Sequence, residues 1–216
     1  MKINFLGDSI TAGAGASTLE QSYVRLVEAR LNCEVRNYGI SGTRIAKQKM
    51  PSADPSYDLD FQTRSETMEG KANFVFVFGG TNDWGHGDAE IGVYGDTDGY
   101  TFYGALHNLI DILMSKYEKD KIIFILPLKR FGESNPLGEG HKKKLSLPLC
   151  GYVKILREVL EKNGFEYLNF YENGLPEPMT DKQSEWFLDG VHPNDRGHKW
   201  IAERIIEFIQ NKQEDL

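Results

Sequence analysis

Short unbroken apolar runs alternate along this chain with segments whose apolar residues recur every three or four positions. Lys2 to Gly7 and Asn73 to Phe78 are of the first kind. The second contains Phe74-Val75-Phe76-Val77-Phe78 with no polar residue, the pattern of a strand covered on both faces of its sheet. Glu34 to Tyr38, Ile122 to Leu126 and Glu166 to Tyr171 complete five predicted strands. Helical spacing marks Glu20 to Leu31 through Tyr23, Val27 and Leu31, and Tyr57 to Met68 around Phe61. It recurs in Phe102, Leu106, Leu109, Leu113 and Tyr117, in Leu149, Val153, Leu156 and Leu160 before the Asn163-Gly164 stop, and in Ile201, Ile205 and Phe208. Strands alternating with helices predict an α/β fold: a three-layer αβα sandwich around a five-stranded parallel sheet of flavodoxin-like order 2-1-3-4-5.

Between these elements lie loops rich in glycine. Ile10 to Thr18 reads as one, Trp84 to Gly99 as another, and Leu128 to Leu147, which carries His141-Lys142-Lys143-Lys144, is long enough to be expected to supply substrate contacts. In the predicted strand order the first three strands are neighbours. Ser9, Gly42 and Asn82, which follow them, then converge beyond the carboxyl ends of the sheet, where open α/β sheets bind ligands.

Composition narrows the setting. A chain of 216 residues, 40% hydrophobic, is the size of one α/β domain, expected to span 1–216. A net charge of −7 gives no global attraction to nucleic acid or to an anionic membrane. The two cysteines, Cys33 in a predicted strand and Cys150 near a helix start, are too few for a disulfide framework and lack zinc-site spacing. Both are expected to be reduced and buried. The amino terminus enters a strand pattern without the features of a signal peptide, and no apolar run reaches membrane-spanning length, so the expected setting is cytoplasmic. Oligomeric state is not legible.

The polar residues at the strand ends carry the chemistry. Serine attack on an ester needs a base, a group to orient it, and donors for the developing oxyanion. His192 is the candidate base and Asp189, three residues earlier, its partner; Pro193 pushes His192 out of helical conformation, so the pair sits on a turn. The Ser9 and Gly42 backbone N–H groups and the Asn82 side-chain amide are candidate oxyanion donors. Asp8 reads chiefly as turn scaffolding and Asp83 as a support for the Asn82 loop. Asp8, Trp84 and His86 are also candidate substrate contacts, with Tyr94 and Tyr100 as neighbouring aromatic residues suited to a sugar. His107, His141 and His198 read as surface or satisfied residues, and the Lys142 to Lys144 run as a solvated face.

Two other classes compete with this reading. One is a metal-dependent hydrolase with Asp8, Asn82, Asp83, His86 and His192 as ligands, although no H-E-x-x-H or paired-histidine spacing occurs, so no metal is expected. The other is a non-catalytic nucleotide- or sugar-binding domain on a flavodoxin-like sheet. Gly13-x-Gly15 lacks the third glycine of the dinucleotide fingerprint, however, and there is no P-loop.

Gly7-Asp8-Ser9-Ile10, Asn37 to Gly42, Gly80-Thr81-Asn82-Asp83 and Asp189-Gly190-Val191-His192-Pro193 stand in the order of the four motif blocks of the SGNH hydrolase superfamily, the GDSL-type esterases and lipases, which this chain resembles. Isoleucine replaces the leucine of the family name. The resemblance implies that Ser9 is the nucleophile, that the Ser9 amide, Gly42 and Asn82 form the oxyanion hole, and that His192 is the base with Asp189 as its partner. It implies no cofactor and a small-molecule ester substrate. The expected activity is a serine esterase working through an acyl-enzyme, on a short acyl (acetyl) group of a carbohydrate or other small polar alcohol. A lysophospholipase or thioesterase-type acyl hydrolase is the alternative within the family.

Overall fold

The computed structural model describes residues 1–140, 146–176 and 184–214. His141, the Lys142 to Lys144 run and Pro178 lie outside them. In chain order the elements are β1 (Lys2–Gly7), α1 (Ser9–Ala12), α2 (Tyr23–Leu31), β2 (Glu34–Gly39), α3 (Phe61–Thr67), β3 (Phe74–Phe78) and α4 (Thr81–Gly85). They continue with α5 (Phe102–Met114), β4 (Ile122–Ile125), α6 (Leu149–Lys162), β5 (Glu166–Leu168), α7 (Phe170–Asn173) and α8 (Asp195–Glu214). All strand pairs are parallel and the order is β2-β1-β3-β4-β5, as the alternation of strands and helices predicts.

The period of two along each strand divides the core into two layers. Leu6, Val75, Val77, Ile122 and Phe124 face α3, α5 and α6, whereas Ile3, Phe5, Phe74, Phe76, Phe78, Ile123 and Ile125 face α2 and α8. Phe76 is wholly buried, stacked on Phe5 at 5.4 Å with the edge of Phe208 at 6.2 Å. Burying a ring of this kind contributes roughly 1.5–3 kcal/mol. Because Gly7 is in register with both Gly39 and Phe78, the first three strands end level, and their following residues share one rim.

Element boundaries depart from the periodicity where a short polar side chain captures a backbone N–H. The segment Ile10 to Thr18 is not loop throughout: Asp8 caps a single helical turn, α1, by accepting from the Ile10 N–H at 3.1 Å. Without such a capture, Leu19–Gln21 forms a separate 3-10 turn, and the next helix begins at Tyr23. The expected helix Tyr57 to Met68 is cut to α3 by Asp60, which caps at Thr63, and Pro55–Asp58 forms its own 3-10 turn. Asn169 likewise ends β5 at Leu168 by capping α7. Cys33 precedes β2, and both cysteines are free and half-buried, more open than expected. None of the described helices is long and apolar enough to cross a membrane.

Helix α8 packs along α2, and polar contacts at its first turn fasten it to the segment after α1. Asp195 accepts from the Ser17 N–H and Oγ–H, both at 2.7 Å. His198 is wholly buried: its Nδ1 accepts from the Tyr23 N–H at 3.2 Å, leaving Nε2–H to donate to the Ala14 carbonyl at 3.0 Å. Burial holds this imidazole below its ordinary titration range, against the opposing pull of Ala14 and Asp195.

Candidate active site

Gly7 ends β1 where the chain must turn at once into α1. A Cβ at this position would lie 1.9 Å from Thr11 Oγ1, so no larger residue fits the turn. The turn leaves Ser9 at the start of α1, 7% exposed, on the shared rim.

His192 reaches Ser9 from the far side. Its segment doubles back, Phe187 bridging Pro193 and the Leu188 N–H donating to the His192 carbonyl at 2.8 Å. Asp189 sits inside this turn and accepts from the backbone N–H groups of Val191 (3.0 Å) and His192 (2.8 Å). Its second oxygen lies 2.7 Å from His192 Nδ1, and His192 Nε2 lies 2.9 Å from Ser9 Oγ. An ionised carboxylate only accepts, so Nδ1 carries the hydrogen, and Nε2 is left to accept from the serine hydroxyl. Partial burial pushes the Asp189 carboxyl up, but the His192 N–H, its imidazole and the Val191 N–H outweigh this and hold it below the ordinary carboxylate range.

The second rim loop carries Gly42, whose φ of 74° is left-handed. Asn82, 6% exposed, gives one amide hydrogen to the Thr43 carbonyl at 3.0 Å and has a second on the same nitrogen. The neighbouring Asp83 accepts from the N–H groups of Ile45 (3.0 Å) and Ala46 (2.9 Å). It therefore ties the Asn82 segment to the loop that follows Gly42. Ser9, Gly42, Asn82, His192 and Asp189 are thus carried on three adjoining rim loops and the turn before α8.

The structure adds arginines that sequence reasoning did not single out. Arg64 is 8% exposed; its guanidinium donates to Thr43 Oγ1 at 2.7 Å, to the Gly7 carbonyl at 2.9 Å and to the Tyr38 carbonyl, joining the ends of β1 and β2 to the Gly42 loop. Burial pulls this group down to about 10 although Asp8 and Asp60 oppose it, so it remains charged at neutral pH. Its position three residues after Phe61, on the face that helical spacing assigns to the core, was the available signal. Arg130, 3% exposed, donates to Thr81 Oγ1 at 3.2 Å, pairs with Glu139 and lies 4.9 Å over the Trp84 ring.

Of the expected substrate contacts, Trp84 and Asp8 are buried, whereas His86 is partly open. Trp84 is 1% exposed and donates from Nε1 to the Asn135 carbonyl at 2.9 Å, so it supports Arg130 and has no surface to offer a ligand. Asp8 is 2% exposed and caps α1; burial pushes its carboxyl up to about 6, against the Ile10 N–H and the charges of His192, Arg64 and Arg130. It lines a small cavity of about 10 Å³ with Ile10, Phe78, Leu128, Arg130 and Val191. His86 is half-buried, with Arg44 Nη1 donating to its Nδ1 at 3.0 Å. Tyr94 is remote from these groups, packed on Tyr103 and His107 with Lys162 Nζ 4.1 Å from its ring, and Tyr100 lines a separate depression with Lys47 and Asp60. The described part of the Leu128 to Leu147 loop is docked: the Glu139 N–H donates to the Gly85 carbonyl at 2.8 Å and the Phe131 N–H to the Gly190 carbonyl at 2.9 Å.

Asp8, Asp83 and His86, three of the five ligands a metal site would need, are turned toward Ile10, toward Ile45 and Ala46, and toward Arg44. Among the described residues no three acidic, histidine or cysteine side chains gather to hold an ion.

No curated protein sequence matches the chain. Among solved structures, a protein from Lactobacillus plantarum is 28% identical with a TM-score of 0.79, over 97% of this chain and 96% of that one. A member of the lipolytic G-D-S-L family from Veillonella parvula is 20% identical at a TM-score of 0.61, over 96% and 97% of the two chains. The acetyl xylan esterase AlAXEase is 23% identical at 0.66, over 97% and 100%. The profile of the GDSL-like lipase/acylhydrolase family matches residues 5–200. With that match over nearly its whole length, the chain belongs to the GDSL-like lipase/acylhydrolase family and is a carboxylic ester hydrolase.

Proposed function

We propose that the protein is a serine esterase of one domain, 1–216, that removes a short acyl group, acetyl above all, from a carbohydrate or other small polar alcohol. The observation that carries this reading is the unbroken hydrogen-bonded chain from Ser9 Oγ through His192 to Asp189, at 2.9 and 2.7 Å. Ser9 Oγ attacks the ester carbonyl as its proton passes to His192 Nε2, and Asp189 stabilises the imidazolium that forms. The Ser9 and Gly42 N–H groups and the Asn82 amide receive the oxyanion. His192 then protonates the departing alcohol, and water activated by the same imidazole releases the acid from the acyl-enzyme.

The size of the acyl group is argued from the small cavity against Asp8 and Ile10, the two neighbours of Ser9. At about 10 Å³ it has the room of a single water, so the packing beside Ser9 leaves no space there for an alkyl chain. An acetyl xylan esterase is built on the same fold. A series of 4-nitrophenyl esters from acetate to palmitate, run beside acetylated oligosaccharides, is expected to show kcat/KM falling with chain length. Preference for the long chains would favour a lysophospholipase or thioesterase instead. Failure of a fluorophosphonate to label Ser9 in folded protein would favour a binding domain.

Asn82→Ala is expected to lower kcat by about 10²–10³-fold, the effect of about 2.7–4 kcal/mol seen when one oxyanion donor is lost. KM should move little, because the donor acts on charge that develops only after binding. Unchanged turnover would remove Asn82 from the mechanism.

A further inference from the structure

Gly42 lies beneath an aromatic ring. A Cβ built on it would come within 2.4, 2.6 and 2.7 Å of Cδ1, Cγ and Cε1 of Tyr57, so the ring rests on the glycine itself. Tyr57 is nevertheless 38% exposed. An open aromatic side chain thus stands against the residue whose N–H is proposed to receive the oxyanion.

The backbone that carries the ring is held from below. Arg44, 3% exposed, donates to the Tyr57 carbonyl at 3.1 Å, to Asp58 Oδ1 at 2.9 Å and to Ser52 Oγ at 2.7 Å, while its other terminal nitrogen donates to His86 Nδ1 at 3.0 Å. One buried guanidinium therefore fixes both Tyr57 and His86, whose rings stand 6.0 Å apart at 36°. Because arginine only donates, His86 is held neutral at Nδ1, with its hydrogen on Nε2. Five acceptors around one buried side chain, Asp58 Oδ1 in a salt bridge among them, fix the Tyr57 main chain and the His86 imidazole more firmly than a solvated surface loop would hold them.

We propose that Tyr57, with His86 as the adjoining wall, forms the subsite for the alcohol part of the ester, and that the alcohol it takes is a sugar ring. The axial C–H groups of a pyranose make one face of it apolar, and such a face packs on the electron-rich face of a phenol ring. A flat aromatic surface beside neutral hydrogen-bonding groups suits that ligand better than a charged headgroup. This assignment rests on the serine-esterase reading and names its leaving group.

The test compares a monoacetylated methyl xyloside with ethyl acetate, whose alcohol is too small to cover the ring, by acid release at constant pH. Tyr57→Ala is expected to lower the ratio of kcat/KM for the sugar ester to that for ethyl acetate at least tenfold, the loss lying in KM for the sugar ester. Tyr57→Phe, which keeps the ring, should hold the ratio within threefold. A ratio unmoved by Tyr57→Ala, or equal losses on both esters, would overturn the subsite and leave Tyr57 as packing for Gly42. Failure of the unaltered protein to hydrolyse either ester, with Ser9 unreactive toward a fluorophosphonate, would overturn the esterase reading itself.

Discussion

Ser9→Ala is expected to leave a folded protein whose kcat is lower by about 10⁶-fold, the magnitude found when the nucleophile of a serine hydrolase is removed. Folding should survive because the Ser9 side chain, among the described residues, hydrogen-bonds to His192 alone, while the turn around it is held by main-chain and Asp8 contacts. Alanine also favours the helical turn of α1. The expectation is checked by an unchanged thermal unfolding midpoint, lost fluorophosphonate labelling and lost acid release, all on one preparation. Turnover within tenfold of the unaltered protein would transfer the nucleophile's role elsewhere.

The second large effect is expected from Asp189→Asn, with kcat reduced by about 10³–10⁴-fold at neutral pH. Asparagine keeps one oxygen for the Val191 and His192 N–H groups, so the turn should persist. What changes is the group facing Nδ1. An amide N–H there donates where the carboxylate accepted, which favours the tautomer with hydrogen on Nε2 and leaves Ser9 without an acceptor. Thermal stability should fall only slightly, since the Asp189 side chain is 46% exposed and its ion pair is screened by solvent. Because Asp189 is held below the ordinary carboxylate range, its contribution to stability is complete above that range and is lost as pH falls through its lowered value. It therefore stays ionised wherever an imidazole titrates, and the wild-type activity profile should show no limb from it near neutrality. A full-rate Asp189→Asn protein would reduce the relay to Ser9 and His192.

Much of this was legible because the relevant signals are local. Unbroken apolar runs such as Phe74 to Phe78 and helical spacing such as Phe102 to Leu113 carry the fold in windows of a few residues, and β1 to β5 follow with small shifts at capped ends. Ser9, Asn82 and His192 stand out because each follows a strand or turn directly. Side chains that serve several distant segments at once are marked faintly or not at all. Arg64 meets Gly7, Tyr38 and Thr43, with only its helical spacing from Phe61 to place it on the core face, and Arg44, which meets Ser52, Tyr57, Asp58 and His86, looks in sequence like any arginine of an exposed loop. Trp84 misled for the converse reason: its place two residues after Asn82 does not reveal that its ring turns inward beneath Arg130. Tyr57 gained significance only when its ring was found on Gly42.

The separation of 183 residues between Ser9 and His192 also sets a schedule during synthesis. A ribosome adds about 5–20 residues each second and domains begin to assemble from the amino terminus, so every strand through Leu168 emerges before the imidazole does. The growing chain holds Ser9 on its turn without the imidazole proposed to activate it. Until α8 arrives, Tyr23, Val24 and Val27 of α2 lack their cover, and that interval is when the nascent protein is most open to chaperones and to aggregation. Docking of α8 through Ser17, Tyr23 and Ala14 closes the interval and delivers His192 in the same event. On the proposed mechanism, ester hydrolysis by this protein thus reports that α8 has been made and seated.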